Sequence, residues 1–166
     1  MNHAKHRSHR HRWALCWAGI AACIAPAGHA ALNLSSCSVS NATVAFGIYN
    51  PLNPSTLDNN AGRVDLSCQS SGAGSVPVTV QLSKGQGSFT ARTMKSTSSV
   101  LLYNIYTSAT YATVWGDGSG GTSTQSAVLT KAASAASWVV YGRIPAQQKT
   151  VQPGEYSDLL QVTVSW

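Results

Sequence analysis

Residues 154–166 of this chain read GEYSDLLQVTVSW, and the second half of this segment has a clear strand pattern. From residue 160 onward every second side chain is apolar, with polar side chains between them: Leu160, Val162, Val164 and Trp166. A period of two places one face of the segment against a core and the other in water, as in a β-strand. We expect this strand either to lie inside a sheet or to border a slot that another strand fills.

The same alternation recurs upstream of this strand. Four further segments carry it or are apolar throughout: 62–69, 76–83, 100–107 and 138–144. In the first of them Val64, Leu66 and Cys68 point inward and the polar residues between them point outward. A glycine-rich turn at 117–121 separates two such segments, and no segment has a helical period. The sequence predicts an all-β sandwich of short strands.

Turn-forming and small residues mark the predicted connections. They are loops at 50–61 and 84–99 and a linker at 132–137. A short strand is predicted at 111–115, and Val44, Phe46 and Ile48 alternate so that we expect them to share one face.

Residues 1–30 have the composition of a secretory signal peptide. Residues 1–12 are basic and lack acids, residues 13–27 are apolar, and small residues lead up to a cleavage site after Ala30. The apolar run is too short to span a bilayer comfortably. We therefore expect an exported chain that folds as residues 31–166.

The leader also accounts for most of the basic charge. The full chain has a formal net charge of +6, but the rest of it holds seven Lys and Arg against five Asp and Glu, which gives no argument for nucleic-acid binding. All five histidines lie in the leader. Catalytic Ser-His-Asp, Cys-His and His-ligated metal sites are therefore excluded, and we predict no enzyme, no catalytic residue, no metal and no cofactor.

A pair of carboxylates is the remaining catalytic option, since glycoside hydrolysis requires only two. Asp117, Glu155 and Asp158 are the candidates. Asp117 starts a glycine-rich turn and the other two flank a strand entry, so turn chemistry explains them better. One carboxylate also cannot supply the six or more oxygen ligands of a calcium site.

Cys37 and Cys68 are the two cysteines beyond the leader, and in an exported chain two cysteines most simply form one disulfide. Cys68 faces inward on its strand, which makes a bond to the first strand reasonable. Closing a loop of about 30 residues stabilises the fold by about 3–4 kcal/mol in the chain-entropy model. Two separate buried thiols are the alternative.

Strand and loop aromatics offer a binding hypothesis. The set comprises Tyr103, Tyr106, Tyr111, Trp115, Trp138 and Tyr141. Aromatic side chains on strands more often pack in the core or pair across strands than bind sugars. Trp115, beside the turn at 117–121, is the candidate ligand platform.

Several segments together carry a resemblance to a known family. They are CSVSNATVAFGIYNPL (37–52), VDLSC (64–68), VPVTVQLSKGQGSFTARTM (76–94), LLYNIYTSATYATVWGDGSGGT (101–122), VVYGRIPAQQ (139–148) and PGEYSDLLQVTVSW (153–166). In their order and spacing they resemble the spore coat protein U domain family, which includes subunits of archaic chaperone–usher pili.

This resemblance implies an incomplete immunoglobulin-like β-sandwich, residues 37–166, that is completed by a donated strand. In the pilus members a periplasmic chaperone lends the strand, and the next subunit replaces it in the polymer. The implied partners are that chaperone, an outer-membrane usher and neighbouring subunits, with no nucleic acid and no stable membrane insertion. The contact edge for chaperone and neighbour would be formed by four residues: Leu160, Val162, Val164 and Trp166.

The resemblance also gives residues 31–36 the role of a short donor segment with Leu32 and Leu34 as plugs. Pilus-rod members carry a longer one. Either this chain donates weakly, or it sits at a tip or minor position, or cleavage occurs elsewhere. The implied function is an exported structural subunit of a surface pilus or coat that supports adhesion or biofilm formation. The alternative is a tip-located carbohydrate- or surface-binding adhesin-like domain.

Overall fold

The computed structural model of this chain describes residues 31–40 and 42–166, so the predicted signal peptide lies outside the described residues. Every regular element in that part is a strand: β1 Asn33–Ser40, β2 Leu57–Ser71, β3 Ser75–Leu82, β4 Arg92–Lys95, β5 Val100–Tyr106, β6 Gln125–Thr130, β7 Ala135–Ile144 and β8 Val162–Ser165. None of the described residues form a helix of the length and apolarity that a bilayer crossing requires.

The strands form two antiparallel sheets packed face to face. The five-stranded sheet has the order β1-β2-β7-β5-β4, and the three-stranded sheet has the order β6-β3-β8. In the smaller sheet β8 pairs only with β3, from Leu82 opposite Val162 to Thr79 opposite Ser165. The predicted all-β sandwich is therefore confirmed.

The core lies between the sheets in two clusters, and the alternation in the sequence accounts for both. Val64 from β2, Val80 from β3 and Val140 from β7 belong to the first cluster, which also buries residues of β4 and β5. Leu66 and Leu129 belong to the second cluster, at the end of the sandwich where β1 and β6 lie. Each inward side chain faces the opposite sheet, as a period of two requires.

Several predicted element boundaries were wrong. β2 begins at Leu57, inside the predicted loop at 50–61; β4 lies inside the predicted connection at 84–99; and β7 begins at Ala135, inside the predicted linker. The predicted strand at 111–115 forms only isolated bridges. In each case pairing with a neighbouring strand, rather than local composition, sets the backbone conformation.

A disulfide joins Cys37 in β1 to Cys68 in β2, with a sequence separation of 31 residues. The register between the two strands shifts between Ser35 and Ser38, so Cys37 lies in a bulge of β1. The predicted pairing of the two cysteines is confirmed.

The same strand contains most of the predicted donor segment, residues 31–36. Leu32 and Leu34 are only 8% and 5% exposed and pack in the second core cluster. β1 begins at Asn33 and pairs with β2, so it crosses the predicted boundary between residues 31–36 and 37–166. In this conformation the two leucines fill the chain's own core and cannot also plug a neighbour.

Candidate functional site: an open groove beside β8

An open groove runs between β8 and residues 42–49, an extended segment that belongs to none of the described strands. Two glycines on the inner face of the five-stranded sheet place this segment. A Cβ on Gly62 would come within 2.6 Å of Val44, and one on Gly142 within 2.6 Å of the Phe46 ring. Residues 42–49 therefore lie in the layer of the smaller sheet, and the described strands leave the space between them and β8 open.

The floor of the groove is formed by buried residues of the five-stranded sheet. At the β8 end a cavity of about 320 Å³ is lined by Val64, Ile105 and Val140 below, with Leu160 and Val162 on one side. All three floor residues belong to the first core cluster. The main hydrophobic core therefore faces this cavity.

A second cavity, of about 670 Å³, continues the groove toward the loop that follows residues 42–49. Its lining includes Tyr49, Leu101 and Ile144. The two cavities share Phe46 and Tyr156 in their linings, so they form one continuous groove. Its apolar floor and its position beside β8 fit an extended segment with alternating apolar side chains better than a compact ligand.

Polar contacts hold one side of the groove, residues 156–162, which lead into β8 and which we call the β8 bank. Asp158 accepts a hydrogen bond from Tyr103 Oη at 2.7 Å through Oδ2 and from the backbone N–H of Gln86 at 3.2 Å through Oδ1. Lys95 and Ser157 exchange backbone hydrogen bonds of 2.9 and 3.1 Å, which tie this bank to β4. Burial, reinforced by the Asp158 carboxylate, raises the pKa of Tyr103, which stays a neutral donor.

The four residues of the predicted contact edge differ in their location and burial along this bank. Leu160 and Val162 line the groove, and Val164 packs against both core clusters. Trp166 follows β8 and is 57% exposed. Leu159, which sequence reasoning did not single out, is 88% exposed at the rim.

On the opposite side of the groove, residues 42–49, the prediction that three alternating residues share one face was correct for two of them. Val44 and Phe46 pack against the first cluster, as their alternation indicated. Ile48 was expected on the same face but is 96% exposed. Gly47 has a φ of 78°, a left-handed conformation that breaks the alternation, so this glycine was the available signal.

The hypothesis that Trp115 is a ligand platform is wrong. Its side chain is 0% exposed, and its Nε1 donates a hydrogen bond to the carbonyl oxygen of Val80 at 3.0 Å. A ring with no accessible surface offers no face to a ligand. Trp115 is a core residue that links the segment after β5 to β3.

Sequence reasoning also missed Arg92, which is fully buried in β4. Its guanidinium donates hydrogen bonds to the carbonyl oxygens of Ser83 and Trp115, each at 2.8 Å, and to Asn104 Oδ1 at 2.7 Å. Burial lowers the pKa of Arg92. No sequence pattern predicts the burial of this arginine, because its partners are carbonyl groups from separate parts of the chain.

The three candidate carboxylates lie in different settings. Asp117 accepts hydrogen bonds from the backbone N–H and the hydroxyl of Ser119 at 2.8 and 2.6 Å, as expected for a turn. Asp158 is committed to the groove bank, while Glu155 is exposed. Within residues 31–40 and 42–166, no three His, Cys, Asp or Glu side chains are placed to hold a metal ion.

Comparison with known proteins gives two positive findings. The sequence matches the profile of the Spore Coat Protein U domain over residues 26–163. The structure is similar, with a TM-score of 0.51 and 23% identity, to a chain in the crystal structure of the CsuC–CsuE chaperone–tip adhesion subunit pre-assembly complex from archaic chaperone–usher Csu pili of Acinetobacter baumannii. The alignment covers 79% of this chain and 39% of that chain, and at this identity the likeness shows the fold. No curated protein matches the sequence.

Proposed function

Because this chain belongs to the Spore Coat Protein U domain family, we propose that it is an exported structural subunit of a surface pilus or coat, assembled by donation of a β-strand into its open groove. The observation that carries this proposal is the groove itself. Its floor is the main hydrophobic core, and one bank is β8, whose outer edge pairs with none of the described strands. The fold and the family favour a structural role over a catalytic one.

An inserted strand would complete both the open strand edge and the unfilled core of this site. Its backbone would pair with the free edge of β8, and its alternate side chains would enter the cavities beneath. Each buried apolar side chain contributes roughly 1.5–3 kcal/mol, so three or four contribute on the order of 5–10 kcal/mol. A small domain has a total stability of only about 5–15 kcal/mol. The donated strand would therefore be a large part of the folding free energy.

The proposed partners follow from this route of assembly. A periplasmic chaperone would fill the groove first, an outer-membrane usher would receive the complex, and a neighbouring subunit would then replace the chaperone strand. The similar solved complex is of a chaperone with a tip adhesion subunit, which supports a chaperone partner for this fold. The chain would pass through the periplasm to the cell surface, where the polymer would support adhesion or biofilm formation.

The structure favours the receiving role over the donating one for this chain. For residues 31–36 to act as a donor, Leu32 and Leu34 would have to leave the second core cluster. The pairing of β1 with β2 ahead of Cys37 would be lost as well. We therefore propose strand acceptance at the groove and assign no donor to residues 31–36.

Two variants on neighbouring residues of β8 test the proposal. Val162 lines the groove, whereas Thr163 is exposed on the other face of the strand. The chain is produced with its leader, isolated from the periplasm in its native partner background, and accompanying polypeptides are identified by mass spectrometry. We expect a chaperone with the unaltered chain and with Thr163→Lys, and its loss with Val162→Lys.

The unaltered chain alone gives the decisive control. We expect it to be degraded or to aggregate when no partner is supplied. A processed chain that is monomeric, unfolds cooperatively with high stability and binds no strand would refute the proposal.

A further inference from the structure

A second surface feature lies on the outer face of the five-stranded sheet, away from the groove. It consists of three half-buried tyrosines and an ion pair: Tyr106, Tyr111, Tyr141, Arg143 and Asp58. We call these five residues the tyrosine cluster. Outer-face positions of a two-layer sandwich normally carry small or polar side chains, so this concentration of aromatic rings is unusual.

The pairing of the strands builds most of the cluster. Tyr106 in β5 lies directly opposite Tyr141 in β7, and Arg143 in β7 lies directly opposite Asp58 in β2. The guanidinium of Arg143 makes two hydrogen bonds to the Asp58 carboxylate, at 2.7 and 2.8 Å. Three adjacent strands therefore hold these four side chains in fixed positions.

Tyr111 reaches the cluster from the loop after β5 and completes it. Its ring meets those of Tyr106 and Tyr141 edge-on, with centroid distances of 5.5 and 6.4 Å and interplanar angles of 81° and 90°. Arg143 lies 3.7 Å from the centre of its ring. The cluster thus holds rings in two nearly perpendicular orientations beside a neutral ion pair, with Arg143 covering one face of Tyr111.

Two further observations distinguish this cluster from an ordinary cross-strand aromatic pair. Tyr111 has a φ of 51°, a left-handed conformation that is strained for an aromatic residue and that marks functional positions more often than ordinary loops. In the described part of the chain, no protein group hydrogen-bonds the phenol oxygens of the three tyrosines. Among the described residues, every buried side-chain oxygen or nitrogen has a hydrogen-bond partner. The three unpaired hydroxyls are therefore accessible to solvent.

We propose that the tyrosine cluster is a binding site for a neutral sugar ring. Aromatic rings pack against the apolar C–H face of a pyranose, while free phenol hydroxyls and an exposed carboxylate can hydrogen-bond its hydroxyl groups. The Arg143–Asp58 pair is internally neutralised, which favours an uncharged ligand over an anion. Five side chains are also too small a surface for a stable protein interface, which needs about 800 Å² per partner. This inference is independent of strand exchange at the groove.

Removal of single hydroxyls separates binding from a structural role. Tyr106→Phe and Tyr141→Phe keep both rings and remove oxygens that have no protein partner in the described residues, so the thermal midpoint of unfolding should not change. The chain, purified with whatever partner accompanies it, is applied to an array of neutral oligosaccharides of glucose, galactose, mannose and N-acetylglucosamine. A bound sugar is then titrated against each protein. Arg63→Ala, on an exposed residue of β2, is the control.

We expect the unaltered chain and Arg63→Ala to bind the same sugar. The double Tyr106→Phe, Tyr141→Phe variant should bind it about tenfold more weakly, because each hydroxyl contributes a modest net hydrogen bond. Tyr111→Ala should abolish binding. The proposal is overturned if the unaltered chain binds no sugar on the array, or if the hydroxyl variants bind as tightly as the unaltered chain. Retention of a polypeptide by this face, with no sugar bound, would overturn it as well.

Discussion

Tyr103 Oη donates a 2.7 Å hydrogen bond to Oδ2 of Asp158, and this contact joins the floor of the groove to its β8 bank. Tyr103 is buried in the first core cluster, while Asp158 lies on the segment that leads into β8. The same carboxylate accepts the backbone N–H of Gln86. This acidic side chain, together with the backbone hydrogen bonds between Lys95 and Ser157, therefore holds the bank that an incoming strand would meet.

Replacement of Asp158 should weaken the fold measurably. Asp158→Ala leaves the Tyr103 hydroxyl and the Gln86 N–H without their partner, and we expect the free energy of unfolding to fall by about 1–3 kcal/mol. Urea denaturation of each protein, purified with the partner that accompanies it, measures the change. Glu155→Ala, at a nearby exposed residue, should stay within about 0.5 kcal/mol of the unaltered chain. Equal effects of the two substitutions would contradict the anchoring role of Asp158.

The disulfide makes a quantitative prediction. A loop of 31 residues closed by Cys37 and Cys68 corresponds to about 3–4 kcal/mol of stabilisation in the chain-entropy model. The Cys37→Ser, Cys68→Ser double variant should therefore unfold at a lower urea concentration. A reducing agent should lower the stability of the unaltered chain and leave the double variant unchanged. If the reducing agent affected both proteins alike, its action would not be on this bond.

Arg92 should be among the most sensitive positions in the core. Its guanidinium satisfies two backbone carbonyls and Asn104 in a fully buried position. In Arg92→Met the two backbone carbonyls lose their side-chain donor and Asn104 Oδ1 keeps only the N–H of Ile105, and we expect a loss of about 3 kcal/mol or more in the free energy of unfolding. Arg63→Met, at an exposed residue, is the matched control. A core that tolerates Arg92→Met without loss of stability would show that the hydrogen bonds contribute little.

The Asp58–Arg143 pair predicts a pH dependence at the acid end. The hydrogen bond from Arg143 holds the pKa of Asp58 below its ordinary value of 3.8, although burial opposes the shift. A carboxylate whose pKa is lower in the folded state stabilises the fold above its unfolded pKa, and that contribution disappears as the pH falls through the folded value.

Asp58→Asn should therefore be less stable than the unaltered chain at neutral pH, by about 0.2–1 kcal/mol because both side chains are partly exposed. The difference should vanish below the folded pKa of Asp58. Urea unfolding at a series of pH values measures it, and Lys131→Gln, at an exposed residue, should show no such dependence. A difference that grows in acid would contradict the assignment.

Alternation in the sequence was sufficient to predict the strands whose inward faces are apolar. Val64 and Leu66 in β2, and Val162 and Val164 in β8, all face the core as their spacing indicated. Local pattern and burial agree in these strands because one face meets the opposite sheet and the other meets water. The disulfide could be predicted for a similar reason, since Cys68 continues the inward series of β2.

Contacts between distant segments determine the features that the sequence pattern did not predict. β4 has a polar composition and is a strand because it pairs with β5. Residues 42–49 become a bank of the groove because Gly62 and Gly142 allow Val44 and Phe46 to approach the sheet closely. Trp115 is buried because Val80 supplies a carbonyl partner for its ring nitrogen. Each of these outcomes depends on a residue far away in the chain.

The bond between Cys37 and Cys68 also determines how this domain responds to tension. It fastens β1 to β2, and β2 is itself paired with β7 between Leu57 and Ser67. A pull on the backbone ahead of Cys37 can peel away only the residues that precede this cysteine before the load passes through the two sulfur atoms into the interior of the five-stranded sheet. The residues between the two cysteines therefore bear none of this load and cannot be extended while the bond is intact.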